Sequence, residues 1–311
     1  MSYRFVASGL GCLLATLLAG MMPAVTSAAA ADGDDEFPGP SHYLRGAYQF
    51  GTVLGTNNFL KGDNLSGEPI DSFESIRLEF GWQTDGSRDW HHAYNFPSFG
   101  LGLYGADLHN EQELGYPTSL YGFFVWPMAR SSRWTFNFEL AFGFTNNWKP
   151  YDPVNNPKNM AIGLGRSVHI EVGGNAEYRL ADRWSLVGGV TGTHFSNGGT
   201  QKPNNGLNQI GPILFVKYDT DTPVTPPPRR RVDDYPDGWD LTVTGSAGKR
   251  NLNLWIRDFV DPETGADYLN RSYFIGNLTV GMGRRFAYKS RYVFGLDLCY
   301  DESVGDLIRI D

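Results

Sequence analysis

The sequence predicts an all-β protein, an antiparallel transmembrane β-barrel of about 8–12 strands. Three observations predict it: a clean two-residue alternation, long strands, and aromatic residues near strand ends. Along 134–144 one face carries Trp134, Phe136, Phe138, Leu140, Phe142 and Phe144. The other carries Thr135, Asn137, Glu139, Ala141 and Gly143. Successive side chains of a strand point to opposite faces, so each such segment has one apolar and one polar side. The split recurs at 76–82, 168–178 and 292–300. A soluble sandwich also alternates, but its strands average about five or six residues. Many segments here run to roughly ten or more, the length of a tilted membrane strand. Tyr43, Trp82, Trp134, Trp184 and Trp239 lie near strand ends, where a barrel places its interfacial girdles.

The segments fall at 43–54, 72–83, 98–107, 119–127, 133–145, 163–180, 184–196, 207–219, 238–248, 272–286 and 290–301. A bacterial single-chain barrel takes an even strand number. Either this is a twelve-strand barrel whose last strand is missing from the chain, which is the favoured reading, or eight strands close and the rest packs elsewhere. Short turns at 130–132, 181–183 and 287–289 belong on the periplasmic side. The longer segments 56–70, 108–118, 146–162 and 197–206, rich in Asn, Gly and Pro, belong outside.

Residues 1–31 read as a secretory signal: Arg4, an apolar stretch over 9–25, and a small-residue cleavage zone ending in Ala28 to Ala31. The barrel then occupies 32–311, with 220–237 as a stiff Pro-rich periplasmic connection containing Arg229, Arg230 and Arg231. Removing the signal removes Cys12 and leaves Cys299 alone, so no intrachain disulfide is expected. The 38 glycines and 14% aromatic content suit β-structure. After the signal no run of eighteen apolar residues remains, which excludes a spanning helix. A formal charge of −8 argues against a nucleic-acid partner. His91-His92 and His169 beside Glu171 show no recurring metal-ligand spacing, and no cofactor or metal is expected.

The chemistry concentrates at 194–208. His194 and Ser196 share strand parity with Trp184, Leu186 and Val190. On the next strand Asn208 is in phase with Ile210, Leu214, Val216 and Tyr218. Polar groups of catalytic type therefore stand on the greasy side of a hairpin, at its outer rim and facing lipid. Ester hydrolysis needs a nucleophile, a base and a group to orient the base. Ser196, His194 and Asn208 supply those types, and Asn197 with the backbone around Gly198 and Gly199 lies beside the nucleophile. Glu171 has lumen parity and cannot stand in as the acid.

The stretch His194-Phe195-Ser196-Asn197-Gly198-Gly199, followed by Pro203-Asn204-Asn205-Gly206-Leu207-Asn208, resembles the signature of lipid A 3-O-deacylases of the PagL type. Longer relatives described as acyloxyacyl hydrolases also resemble the chain at Tyr94-Asn95-Phe96-Pro97 and Gly100-Leu101-Gly102-Leu103. The resemblance implies an outer-membrane esterase acting on lipid A, and hence on lipopolysaccharide, of the outer leaflet. It makes Ser196 the nucleophile, His194 the base, Asn197 and Gly199 the oxyanion donors, and Asn204 a loop support. It departs at Asn208, where the well-known enzymes carry glutamate. A homodimer is compatible with the sequence. The alternative is a catalytically weak or inactive structural or lipid-binding barrel.

Overall fold

The computed structural model describes residues 39–221, 228–232, 238–251 and 271–305. The signal segment and most of the 220–237 connection lie outside them. Eight strands close a barrel: β1 (Ser41–Val53), β2 (Ser72–Gln83), β3 (Ser98–Asp107), β4 (Gly115–Arg130), β5 (Trp134–Trp148), β6 (Ser167–Arg179), β7 (Trp184–Ser196) and β8 (Leu207–Asp219). Each pairs antiparallel with its sequence neighbour, and β8 returns to β1 in register from Tyr43↔Asp219 to Val53↔Gln209. That pairing leaves no opening for further strands, so the twelve-strand expectation gives way to the eight-strand alternative. At the seam Gly51 and Gly211 face each other. A Cβ on Gly211 would sit 2.1 Å from the Phe50 carbonyl oxygen, so the closing strands can approach only because both positions are bare.

The alternation sorts as read. Ile76, Leu78, Leu101, Leu103, Phe142, Phe144, Val190 and Leu214 are exposed on the outer wall. The lumen is filled, as an eight-strand cylinder allows. Arg45 is held between Glu79 and Glu139. Arg77 pairs with Glu171 through two contacts of 2.5 and 2.6 Å. Tyr104, Tyr121, His169 and Phe195 stack above them. Each of these lumen charges thus has its counter-charge, which low-dielectric burial demands.

Aromatic pairs mark the end with the tight turns: Trp134 on Tyr178 and Trp184 on Tyr218, both at 4.7 Å, and Trp82 against Phe80 and Phe99. Tyr43 does not join this girdle. Its parity is that of Arg45, so it points into the lumen and its hydroxyl meets Ser98 Oγ at 2.9 Å. Between β2 and β3 one short helix, α1 (Asp89–Ala93), closes that end. His91 and His92 are buried there, bonded to Gly86 N–H and Gly86 O. They are therefore not solvated, and burial pushes the His91 imidazole down to about 4.

At the opposite end the long loops build a packed cap. Phe59, Leu60, Leu108, Leu114, Ala161 and Ile162 form one cluster with Trp148, Phe195 and Leu207. Asn159 and Asn156 tie it together through the Glu113 carbonyl.

Three further strands, β9 (Trp239–Asn251), β10 (Ser272–Ala287) and β11 (Ser290–Asp301), make a separate sheet ordered β11-β10-β9. They keep the barrel's pattern. Leu241, Met282 and Phe294 align across the sheet, as do Val243, Val280 and Leu296, and all six are exposed. Arg229 and Arg230 of the connection fold back onto α1. The connection is thus docked at these residues, where the sequence suggested a plain linker.

Candidate active site

The hairpin β7–β8 places His194 directly opposite Asn208. Both side chains, with Ser196, lie on the outer face and are half-buried, while their neighbours Thr193, Phe195, Asn197, Leu207 and Gln209 are buried. This is the register that the alternation predicts. His194 Nδ1 and Asn208 Oδ1 are 2.7 Å apart. An amide oxygen can only accept, so this contact puts the proton on Nδ1 and leaves the Nε2 lone pair to act as base.

Ser196 ends β7, and its hydroxyl oxygen is engaged by the loop that follows. Asn204 Nδ2 and Gly198 N–H each donate to Ser196 Oγ at 3.1 Å. No hydrogen bond joins Ser196 to His194. Catalytic hydrogen bonds often tighten only when substrate binds, and both donors leave the serine proton free to turn toward the ring.

Asn197 and Gly199 are used differently from what the resemblance implies. Asn197 N–H donates to Asn204 Oδ1, its side-chain amide to Gln201 O, and Gly199 N–H to Asn197 Oδ1. Both are spent on shaping the loop. The donors that do reach the nucleophile are Gly198 N–H and Asn204 Nδ2. Asn204 is therefore more than a loop support, because it bridges Asn197 and Ser196.

Sequence reasoning missed two neighbours. Gly206, at φ +73°, lies against the imidazole, and a Cβ there would stand 3.0 Å from His194 Cε1. Gly206→Ala is expected to disturb both the left-handed turn and the ring at ~1–2 kcal/mol of strain, which would lower any ester hydrolysis that depends on His194 by about tenfold. Heat-modifiable gel mobility would show the barrel still closed. Only the Asn205-Gly206 dipeptide, a turn signal, marked this position. The second is Asn251, at the end of β9, whose N–H donates to Gly199 O at 3.0 Å. No local pattern could reveal that contact.

The cap fixes the loop from behind. Asn205 N–H donates to Met160 O and Gly206 N–H to Ala161 O, both at 3.0 Å. Glu171 stays in the lumen on Arg77 and Thr193, on the far side of the wall from His194.

Comparison with known proteins finds a matching family model and similar solved structures. The family model described as "Lipid A 3-O-deacylase (PagL)" matches residues 74–217, from β2 to β8. Among solved structures, the chain is similar to Neisserial surface protein A (TM-score 0.39, 10% identity, 58% of this chain and 98% of that one). It is also similar to the outer-membrane enzyme PagL (TM-score 0.36, 18% identity, 57% of this chain and 98% of that one). No curated protein sequence matches it. The closed eight-strand cylinder with an exposed apolar outer wall is that of a membrane-spanning barrel.

Proposed function

We propose that this protein, whose residues 74–217 match the family model described as "Lipid A 3-O-deacylase (PagL)", is a serine esterase releasing the 3-O-linked acyl chain of lipid A. The observation that carries the proposal is the His194–Asn208 contact on the lipid-facing wall, two residues from Ser196. His194 Nε2 takes the Ser196 hydroxyl proton as Oγ attacks the ester carbonyl carbon. Negative charge moves to the carbonyl oxygen, beside Gly198 N–H and Asn204 Nδ2. Collapse breaks the bond to the sugar oxygen, which leaves with the proton held by His194. Water, deprotonated by the same ring, then cleaves the acyl-enzyme. A substrate in the outer leaflet reaches these groups from the side without leaving the membrane.

Asn208 serves this scheme in part. A carboxylate-to-amide change costs a serine-protease triad about 10⁴ in turnover, largely through the wrong tautomer. Here the amide oxygen faces the ring and holds the productive tautomer, so what is lost is charge opposite the imidazolium. Asn208→Glu is expected to raise turnover by about tenfold, equivalent to roughly 1.4 kcal/mol of added stabilisation. Mass spectrometry of lipid A from cells expressing either form is the test. If neither form removes a hydroxyacyl mass from an assembled barrel, the esterase reading fails. The reading then left is an inert lipid-binding barrel, which draws on one observation: Ser196 is bonded to its loop and not to His194.

A further inference from the structure

Between the end of β9 and the proposed nucleophile runs an unbroken series of hydrogen bonds. Asn251 N–H donates to Gly199 O at 3.0 Å. Gly199 N–H donates to Asn197 Oδ1 at 2.9 Å, and Asn197 N–H to Asn204 Oδ1 at 3.1 Å. Asn204 Nδ2 then donates to Ser196 Oγ at 3.1 Å. The Asn204 amide accepts at one end and donates at the other, so its hold on the serine depends on where Asn197 and Gly199 stand. Four bonds therefore lead from a strand that is no part of the barrel to the oxygen that would attack.

The loop after β7 needs such a hold at its tip. Its far end is tied to the cap at Asn205 and Gly206, through 3.0 Å bonds to Met160 O and Ala161 O. The tip is Gly198-Gly199, at φ +68° and +81°, where the backbone is least constrained. Among the described residues, the Asn251 bond is the one hydrogen bond that reaches 198–203 from beyond the loop. β9 can supply it because it is an edge strand of its sheet. Asn251 faces Ser272 of β10 on one side and turns its N–H to Gly199 on the other. Asn251 is itself buried, so water does not compete freely for that bond. We propose that Asn251, through its backbone N–H, is a positioning residue that fixes the tip of the loop and so keeps Gly198 N–H and Asn204 Nδ2 on Ser196 Oγ. This role rests on the esterase reading, and it gives the β9–β11 sheet a part in that chemistry.

Asn251→Pro and Asn251→Ala, compared in the full chain, test it. Proline removes the donor and alanine keeps it, and an edge strand tolerates proline where its N–H points outward. Outright loss of an oxyanion donor costs about 10²–10³, and displacing one through the loop should cost less: kcat for lipid A deacylation is expected to be about thirtyfold lower in Asn251→Pro than in Asn251→Ala, with KM within about twofold. Labelling of Ser196 by a fluorophosphonate, which forms an Oγ–P bond as fluoride leaves and needs no lipid A, should slow to a similar degree. A strut that only steadied the fold would instead lower the heat-modifiable fraction and leave labelling of the assembled barrels unchanged. Should Asn251→Pro fail to assemble, hydrogen exchange of the wild type decides. Asn251 N–H is expected to be protected, and exchange as fast as that of an unbonded amide overturns the proposal. Assembled proline and alanine variants that deacylate and label alike overturn it without touching the esterase reading. A wild type that neither deacylates nor takes the label overturns the esterase reading, and this role falls with it.

Discussion

Ser196→Ala is expected to abolish the loss of hydroxyacyl mass from lipid A while leaving the barrel assembled. Removing the nucleophile of a comparable triad costs about 10⁶ in turnover, since the remaining members act only through it. The side chain is half-buried on the outer wall, and alanine there removes only the two 3.1 Å contacts from Asn204 and Gly198. A fall in stability of about 1–2 kcal/mol would follow, too little to unfold a closed barrel. Lipid A mass spectrometry reads the chemistry, and heat-modifiable mobility reads the fold. Undiminished deacylation by Ser196→Ala would remove the serine from the mechanism and the esterase assignment with it. His194→Ala should match it within about tenfold, because residues that act as a unit fail together.

The largest stability effect belongs to Glu171→Ala. Arg77 lies in the lumen with both Glu171 oxygens and Gln49 Oε1 on its guanidinium, and Thr193 Oγ1 completes the carboxylate at 2.7 Å. Deleting the carboxylate strands a buried cation, which costs about 3–5 kcal/mol. Equilibrium urea unfolding in lipid vesicles should show that loss. Replacing both partners with leucine should recover most of it, because no unpaired charge is left. The same variant also addresses the catalytic acid. If assembled Glu171→Ala keeps its deacylation rate, the lumen carboxylate does not assist His194, as its place behind the wall requires.

Strand register and the outward face of the site were legible because both follow from a period of two, which each segment carries within itself. His194, Ser196 and Asn208 could be assigned to one face from Trp184, Leu214 and their neighbours alone. What stayed illegible depends on contacts between distant parts of the chain. Closure at eight strands is decided by β8 meeting β1 across more than 150 residues, and eleven similar strands do not announce where the circle ends. Tyr43 lies near a strand end as the girdle residues do, but its parity is that of Arg45 and turns it into the lumen. The Asn197 and Gly199 donors follow a similar logic: the motif names the residues, but Asn204 Oδ1, Gln201 O and, for Gly199, Asn197 Oδ1 decide where their hydrogens go.

If the protein is the proposed esterase, the outward placement of His194 and Ser196 also changes which concentration governs its turnover. A pocket open to water samples molecules per litre. A groove on the wall of a cylinder samples its neighbours in two dimensions, so the relevant quantity is the mole fraction of substrate among surrounding amphiphiles. Diluting lipid A with inert detergent at constant total amount should then slow turnover, whereas diluting the whole micellar solution with buffer should leave the rate per enzyme nearly unchanged.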